Sequence, residues 1–345
     1  MSSLEQYLKV APKAELHVHL EGSIQPATFL ALAQRNHVPL SINTVEEVQR
    51  WFAYRDFHHF AEIFSAIFRC LKRAEDYEQI VYEFGEMMAH QRIYYAEVTT
   101  SVCIHRYTLG IPHDVYFRGM TRGRERAKQD FGVEINWIFD IVRDKAEGSG
   151  VSQRADYTLA VAKESMQDGV VALGLGGMEV GYPAEWFARW FEQAKAAGLH
   201  SVPHAGEIDG PASVWNAIRV LGAERIGHGV RAIEDPELVA YLAEKQIPLE
   251  VCPTSNICLG VYPSLSQHPL PCLYAVGIPL IINSDDPPLF NTTLNNEVAL
   301  LANTFHFERE TINEILLNGV RYSFLPDEKK QLLEQRFRTE MDQDN

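Results

Sequence analysis

Eight short apolar runs recur along the 345-residue chain, each followed by a polar turn and then by a segment of helical periodicity. The runs are Ala14–His19, Tyr94–Thr100, Glu134–Asp140, Val170–Leu175, Leu199–His204, Arg225–His228, Pro248–Cys252 and Ile278–Asn283. Between them Ala184–Ala197, Ala212–Leu221, Pro236–Lys245 and Leu294–Phe305 carry apolar residues at the three- and four-residue spacing of an amphipathic helix. Pro183, Pro211 and Pro236 stand where a first helical turn would begin, the place where a missing N–H costs least. Strands alternating with helices predict a parallel sheet, and eight is the number that closes a (β/α)8 TIM barrel. A doubly wound open sheet is the competing architecture, but it gathers its site at one switch point. Here the His, Asp and Glu residues end the first, fifth, sixth and eighth runs, all along the chain. The prediction is an α/β barrel in one domain spanning 1–345.

Two segments exceed a minimal barrel. Residues from about 26 to 92 hold several helical patterns between the first two strands, and Phe57, Phe60 and Phe64 recur there at i, i+3 and i+7. An insertion at this point emerges beside the strand ends, so Phe60 and Phe64 are candidates for a lid over a ligand. The alternative is that these rings only anchor the insertion to the barrel. The tail from Glu308 to Asn345 reads as charged helices on the outside.

Hydrophobic content of 46% and charged content of 22% are those of a soluble globular protein. A formal net charge of -15 argues against a nucleic-acid partner, which calls for a basic face. No apolar stretch reaches the ~18 residues of a membrane span. Five cysteines, odd in number and without a C-x-x-C pair, fit reduced thiols. No basic segment followed by an apolar run opens the chain, so a cytoplasmic location is expected.

Chemistry concentrates in four places: Glu15-Leu-His17-Val-His19-Leu-Glu21-Gly22, His204-Ala-Gly-Glu207, Gly227-His228-Gly229 and Asn283-Ser-Asp285-Asp286-Pro-Pro288. Side chains alternate across a strand, so His17 and His19 point to one side. With His204 and Asp285 they make three imidazoles and a carboxylate, a set that suits Zn²⁺, with Fe²⁺, Co²⁺ or Mn²⁺ as alternatives. The fourth run ends in Leu173-Gly-Leu-Gly-Gly177 and offers no Lys to bridge a second ion, which argues for one metal per chain. Glu207 lies past a strand end, free to face a substrate, and is otherwise a surface-turn carboxylate. Asp286 cannot share the orientation of Asp285, so it either meets the substrate or caps the next helix. His228 ends the sixth run.

Pro12–Ser23, His204–Glu207, Gly227–Gly229, Cys252–Asn256 and Asn283–Pro288 together resemble the adenosine/adenine deaminase family over nearly the whole chain. The resemblance implies a zinc barrel that hydrolyses the 6-amino group of a purine, converting adenosine to inosine and ammonia by a zinc-activated hydroxide. It implies His17, His19, His204 and Asp285 as ligands of one Zn²⁺. By the same resemblance Glu207 protonates purine N1, His228 orients the attacking oxygen, Asp286 bonds N7 and the Gly177 N–H faces N3. Adenosine deaminases commonly carry Asp where this chain has Glu21, a residue that meets the ribose 5′ hydroxyl. Glu at that position is common among adenine deaminases, but those usually carry an Asp where this chain has Thr99-Thr100-Ser101, and a Ser-Ser-Glu turn where it has Gly176-Gly177-Met178-Glu179.

The expected ligand is therefore a small-molecule purine nucleoside, contacted by Glu21, Ser101, Gly177, Asp286, Phe60 and Phe64. Aminodeoxyfutalosine, N6-methyladenosine and adenine are alternative substrates. More remote alternatives are another single-metal hydrolase of amides or esters and a non-enzymatic relative.

Overall fold

The computed structural model describes residues 3–53, 55, 57–143 and 152–343. The Phe57 side chain and residues 344–345 lie outside what is described. Eight parallel strands follow one another in chain order as a nearly closed barrel. They are β1 (Lys13–His19), β2 (Ile93–Thr100), β3 (Glu134–Arg143), β4 (Val170–Gly177), β5 (His200–Ala205), β6 (Ile226–His228), β7 (Leu249–Val251) and β8 (Leu280–Ile282). Each coincides with an expected run to within about three residues. β3 and β4 run further than the apolar pattern did, because Arg143 pairs opposite Gly177 beyond the hydrophobic stretch.

The joint between β8 and β1 closes the barrel without a full ladder. Val18 bridges Asp285, the His19 N–H donates to the Asp285 carbonyl at 3.0 Å, and the Asp285 N–H donates to the His17 carbonyl at 3.2 Å. Below this point the Asn283 side chain substitutes for a strand. Its Oδ1 accepts the N–H of Leu16 at 2.8 Å and of His17 at 3.0 Å. The Ser284 N–H reaches the buried Glu15 carboxylate at 3.1 Å. Burial lifts the Glu15 carboxyl to about 7, against the pull of the Ser284 bonds.

Inside the barrel, Ile138, Ala172 and Val202 form a small apolar layer. Beside it Arg225 lies buried, donating to Glu97 at 2.5 Å, to Glu250 at 2.6 Å and to the Tyr322 carbonyl at 2.9 Å, with the Phe324 ring 3.9 Å from its guanidinium. A buried cation of this kind is tolerable only because its donors find carboxylate and carbonyl oxygens.

The region between β1 and β2 holds helices Pro26–Arg35, Val45–Phe52, Phe57–Cys70 and Ala74–His90. The last packs on β2 and on helix His113–Phe131, so it is the barrel's own crossover helix and the insertion proper ends near Cys70. The tail differs from expectation. Helix Arg309–Arg321 packs on β1 and β8 and buries Ile312, Ile315, Leu316, Leu317 and Val320, an apolar stripe masked by charges on its other face. Helix Asp327–Gln343 does lie outside, burying only Phe337 and Met341. No helix among the described residues is long and apolar enough to cross a membrane.

Asn283→Ala leaves two buried strand N–H groups without an acceptor, each worth ~1–3 kcal/mol. The expected loss of stability is about 2–5 kcal/mol, read from the urea midpoint at unchanged m-value.

Candidate active site

Each strand that carries a chemically distinctive residue delivers it to the C-terminal mouth of the barrel. His17 and His19 come from β1, His204 from β5, His228 from β6, and Asp285 from just beyond β8. The His17 and His19 Nε2 atoms lie 3.6 and 3.3 Å from Asp285 Oδ1. The His204 ring is 4.5 Å from that of His17 and 5.3 Å from that of His19. His17, His204, His228 and Asp285 each offer a donor atom within 4.8 Å of the other three. Five candidate donors thus converge where the sequence singled out four. Buried His17 Nε2, His204 Nδ1, Glu207 Oε1 and Asp286 Oδ1 have no hydrogen-bond partner. Imidazoles and a carboxylate within mutual reach, with His17 Nε2 and His204 Nδ1 left without partners, fit a single cation.

The surrounding residues hold this set in place. His17 Nδ1 lies 2.8 Å from Glu250 Oε2, and Glu250 is bound in turn by Arg225. Burial alone would raise the Glu250 carboxyl, but Arg225 and His17 reverse that and keep it ionised. Outer carboxylates of this kind fix ring orientation and imidazole basicity. Ser255 Oγ donates to Asp285 Oδ2 at 2.7 Å. His228 at the end of β6 and Asp285 just beyond β8 are strained non-glycine residues, at φ 60° and φ 64°. Both are turned by the left-handed backbone into the mouth, a strain typical of functional positions.

Glu207 is no surface-turn carboxylate. Its side chain is 15% exposed, with Oε1 3.5 Å from His228 Nε2. Burial, then the charges of Asp285 and Glu179, raise it to about 8, so it stays protonated at neutral pH. The turn that carries it is wrapped around one residue. Glu179 accepts the backbone N–H groups of Gly206 at 2.5 Å, Glu207 at 3.2 Å, Ile208 at 2.8 Å and Asp209 at 2.9 Å, and the Ser213 hydroxyl also donates to it. The His204 carbonyl is pinned from the other side by Arg143 Nη2 at 2.8 Å. Asp286 does not cap a helix; the next helix, Leu294–Asn303, is capped by Thr293. Burial, then the neighbouring Asp285 charge, raise the Asp286 carboxyl to about 8. Its oxygen fills the space over Gly22, where an added Cβ would lie 1.6 Å from Oδ1. That close approach explains the glycine after Glu21.

The β2–β4 half of the mouth is polar and floored by glycine. Glu21 is buried, and its Oε1 accepts from Thr100 Oγ1 at 2.7 Å and from His105 Nε2 at 2.8 Å. His105 is itself held by Tyr77 at 2.8 Å. Burial would raise Glu21, but bonds from His105 and Thr100 leave it below the ordinary carboxylate value. Ser101 sits at the mouth beside Asp140, which is buried and has Oδ1 without a partner. Burial lifts Asp140 to about 6, against the pull of His19 and the Ser101 hydroxyl. Asp140 occupies room left by glycines: a Cβ on Gly176 would lie 2.7 Å from its Oδ2. Gly177 ends β4 at φ 82°. Phe60 and Phe64 pack on each other at 4.6 Å, and Phe60 stacks on Phe290 at 6.1 Å, tying the insertion to the turn after Asp286.

Sequence reasoning missed Asp140, Glu179, His105 and Glu250 as parts of the site. The Cys252–Asn256 motif marked Ser255 and Asn256 but gave neither a task.

Glu179→Ala removes the acceptor common to four consecutive N–H groups. The expected result is a loss of kcat above tenfold with metal content retained, measured by steady-state kinetics beside metal analysis of the same sample.

A sequence model of the adenosine deaminase family matches residues 12–339. The aminodeoxyfutalosine deaminase of Streptomyces coelicolor is 39% identical over 325 residues, covering 93% of this chain and 82% of that protein. The crystal structure of adenine deaminase from Arthrobacter aurescens superposes with a TM-score of 0.87 at 30% identity, covering 95% of this chain and 98% of that one. An amidohydrolase from Burkhoderia ambifaria with bound Zn gives a TM-score of 0.89 at 26% identity, covering 100% of this chain and 94% of that one. This chain therefore belongs to the adenosine deaminase family of metal-dependent amidohydrolases, and it is a hydrolytic aminohydrolase acting on an adenine-type substrate.

Proposed function

We propose that the enzyme deaminates a 6-aminopurine nucleoside, adenosine or a 5′-modified relative such as aminodeoxyfutalosine. A single Zn²⁺ held by His17, His19, His204 and Asp285 would supply a water with its pKa lowered towards ~7. The chain's own residues do the rest. An aromatic C6 resists addition until N1 takes a proton, and the buried, protonated Glu207 gives it. His228 and Asp285 flank the attacking oxygen. Asp286, held neutral by burial, donates to N7, while the Gly177 N–H meets N3. The added hydroxyl's proton then passes to the 6-amino nitrogen, the C6–N bond breaks as C6=O forms, ammonia leaves with the 6-oxo purine, and Glu207 regains its proton from the next water. Phe60 and Phe64 close over the purine from the insertion.

The nucleoside reading is carried by one observation: the buried, unpartnered Asp140 Oδ1 beside Ser101 and Glu21, in the glycine-floored half of the mouth. A buried carboxyl oxygen without a partner calls for a hydroxyl or N–H from the ligand. A sugar provides several. The similarity to aminodeoxyfutalosine deaminase points the same way. The second reading is free adenine, favoured by the similarity to an adenine deaminase; Asp140 would then meet the purine N9–H.

A kcat/KM panel of aminodeoxyfutalosine, adenosine, 2′-deoxyadenosine, N6-methyladenosine and adenine decides between them. Nucleosides are expected to exceed adenine by at least about tenfold, and Asp140→Leu is expected to lower nucleoside kcat/KM by roughly 10–100-fold, the worth of a charge-assisted hydrogen bond. Adenine outrunning every nucleoside refutes the reading. In the same assays Glu207→Gln is expected to keep the metal and lose roughly 10²–10⁴-fold in kcat; a loss under tenfold removes Glu207 from the mechanism.

A further inference from the structure

Behind His228 lies a chain of side chains that no step above uses. Asn256 Nδ2 is 3.3 Å from His228 Nδ1, Asn256 Oδ1 is 3.1 Å from His268 Nε2, and the Leu270 backbone N–H is 3.2 Å from His268 Nδ1. All three side chains are buried, at 1%, 0% and 4% exposure for His228, Asn256 and His268.

The backbone N–H at the far end fixes the direction of every bond. It can only donate, so His268 Nδ1 must accept and carries no proton. A neutral imidazole then carries its proton on Nε2, which donates to Asn256 Oδ1. Burial holds His268 neutral, at about 4. The opposite amide orientation would aim an N–H of Asn256 at His268 Nε2, requiring both ring nitrogens to be bare. No neutral imidazole can satisfy that. With Oδ1 accepting from His268, Asn256 Nδ2 donates to His228 Nδ1. The remaining proton of His228 therefore sits on Nε2, the atom 3.5 Å from Glu207 Oε1 and 4.0 Å from Asp285 Oδ2.

We infer that His268 and Asn256 are positioning residues that lock His228 in its Nε2–H tautomer, making it a hydrogen-bond donor into the mouth and barring it from the metal. The inference rests on the proposed role of His228 beside the attacking oxygen. It also resolves the five converging donors. His228 is close enough to His17, His204 and Asp285 to serve as a ligand. Yet its one lone pair is taken by Asn256 and its Nε2 carries a proton. His19, whose Nε2 faces Asp285 at 3.3 Å, takes the place that proximity alone would give to His228.

Asn256→Asp is the sharpest test, because it keeps the shape and inverts the polarity. A carboxylate accepts from both neighbours, so His228 Nδ1 becomes protonated and Nε2 becomes a bare lone pair. The readout is the ¹⁵N spectrum of the ring, with the His228 signals assigned through a His228→Gln control, recorded on apo-protein and after titration with Zn²⁺. Wild-type His228 is expected to show a protonated Nε2 unmoved by Zn²⁺ in the manner of a ligand. In Asn256→Asp the protonated nitrogen is expected to be Nδ1, with kcat lower by on the order of 10²–10⁴-fold, the scale of a wrong histidine tautomer in a hydrolase. His268→Ala is expected to lower kcat at least tenfold with KM within threefold, and His268→Gln, which restores an N–H donor to Asn256, to recover most of it. A wild-type His228 protonated on Nδ1, or coordinated to Zn²⁺, overturns the inference. So does an Asn256→Asp protein whose kcat falls while the tautomer stays as in wild type, since the residue would then act on the fold alone. The spectrum needs neither substrate nor turnover, so a wrong substrate assignment leaves this test intact.

Discussion

The mouth of this barrel depends on the joint between β8 and β1. Strand β8 is only three residues long, and its ladder to β1 is reduced to one bridge. Two main-chain bonds link Asp285 to His17 and His19, and these are the residues that must meet. Barrel closure and assembly of the donor set are thus one event. If the joint opens by an ångström, Asp285 leaves both imidazoles together. The Asn283 amide, replacing a missing stretch of ladder, confers on the closure the directionality that short strands lack. A buried N–H pair with one acceptor tolerates no slip in register.

The second constraint is electrostatic. The mouth gathers buried Glu21, Asp140, Asp285 and Asp286 with the partly exposed Glu207, and like charges so close cannot all ionise. The structure divides them. Asp285 is held well below the ordinary range: burial opposes its charge, but His17 and His19 prevail. Glu21 is kept ionised by His105 and Thr100. Glu207 and Asp286, lacking donors, are pushed to about 8 and retain protons. Carboxyls that keep their proton can donate it, and those that lose it can bind a cation. One residue type therefore serves two tasks, separated by burial and hydrogen bonding. Beneath them Arg225 balances Glu97 and Glu250, so the negative charge that steadies His17 does not stand alone in the interior.

The strand order and the donor residues were legible in the sequence because both follow short-range rules. An apolar run of four to eight residues marks a strand, and a His-x-His pair marks a shared face. Glu179, His105 and His268 were not legible, since their partners lie 27, 84 and 12 residues away and no spacing signals them. Asp140 stood at the end of an apolar run and was assigned no task; only the fold shows that it faces the interior beside Gly176. Helix Arg309–Arg321 was read as outer because its charges are dense, although its apolar stripe at 312, 315, 316 and 320 carries the core-facing spacing. In each case the missing information is tertiary: which element covers a face, or which distant backbone needs an acceptor.

The two halves of the barrel are built differently. Strands β1 to β4 are seven to ten residues long and pair in longer ladders, with register shifts in β1–β2 and β3–β4. Strands β6 to β8 have three residues each, and two of them run into left-handed His228 and Asp285. Non-glycine residues in that conformation cost of order 1–3 kcal/mol each, so neighbouring bonds must hold them there. The Gly229 N–H donates to the Ala205 carbonyl at 3.0 Å, Asn256 holds the His228 ring, and Ser255 holds the Asp285 carboxylate. The helix Pro253–Cys258 that follows β7 supplies both of these side chains. It therefore adds side-chain links at the ends of the last three strands, whose ladders are only two or three residue pairs long. A long-laddered wall offers a fixed surface to a flat ring, whereas short strands ending in turned residues let several side chains converge on one point. Asp140 and Thr100 stand on the first kind of wall, whereas His17 and His19, at the end of long β1, meet Asp285 where the two kinds of wall join.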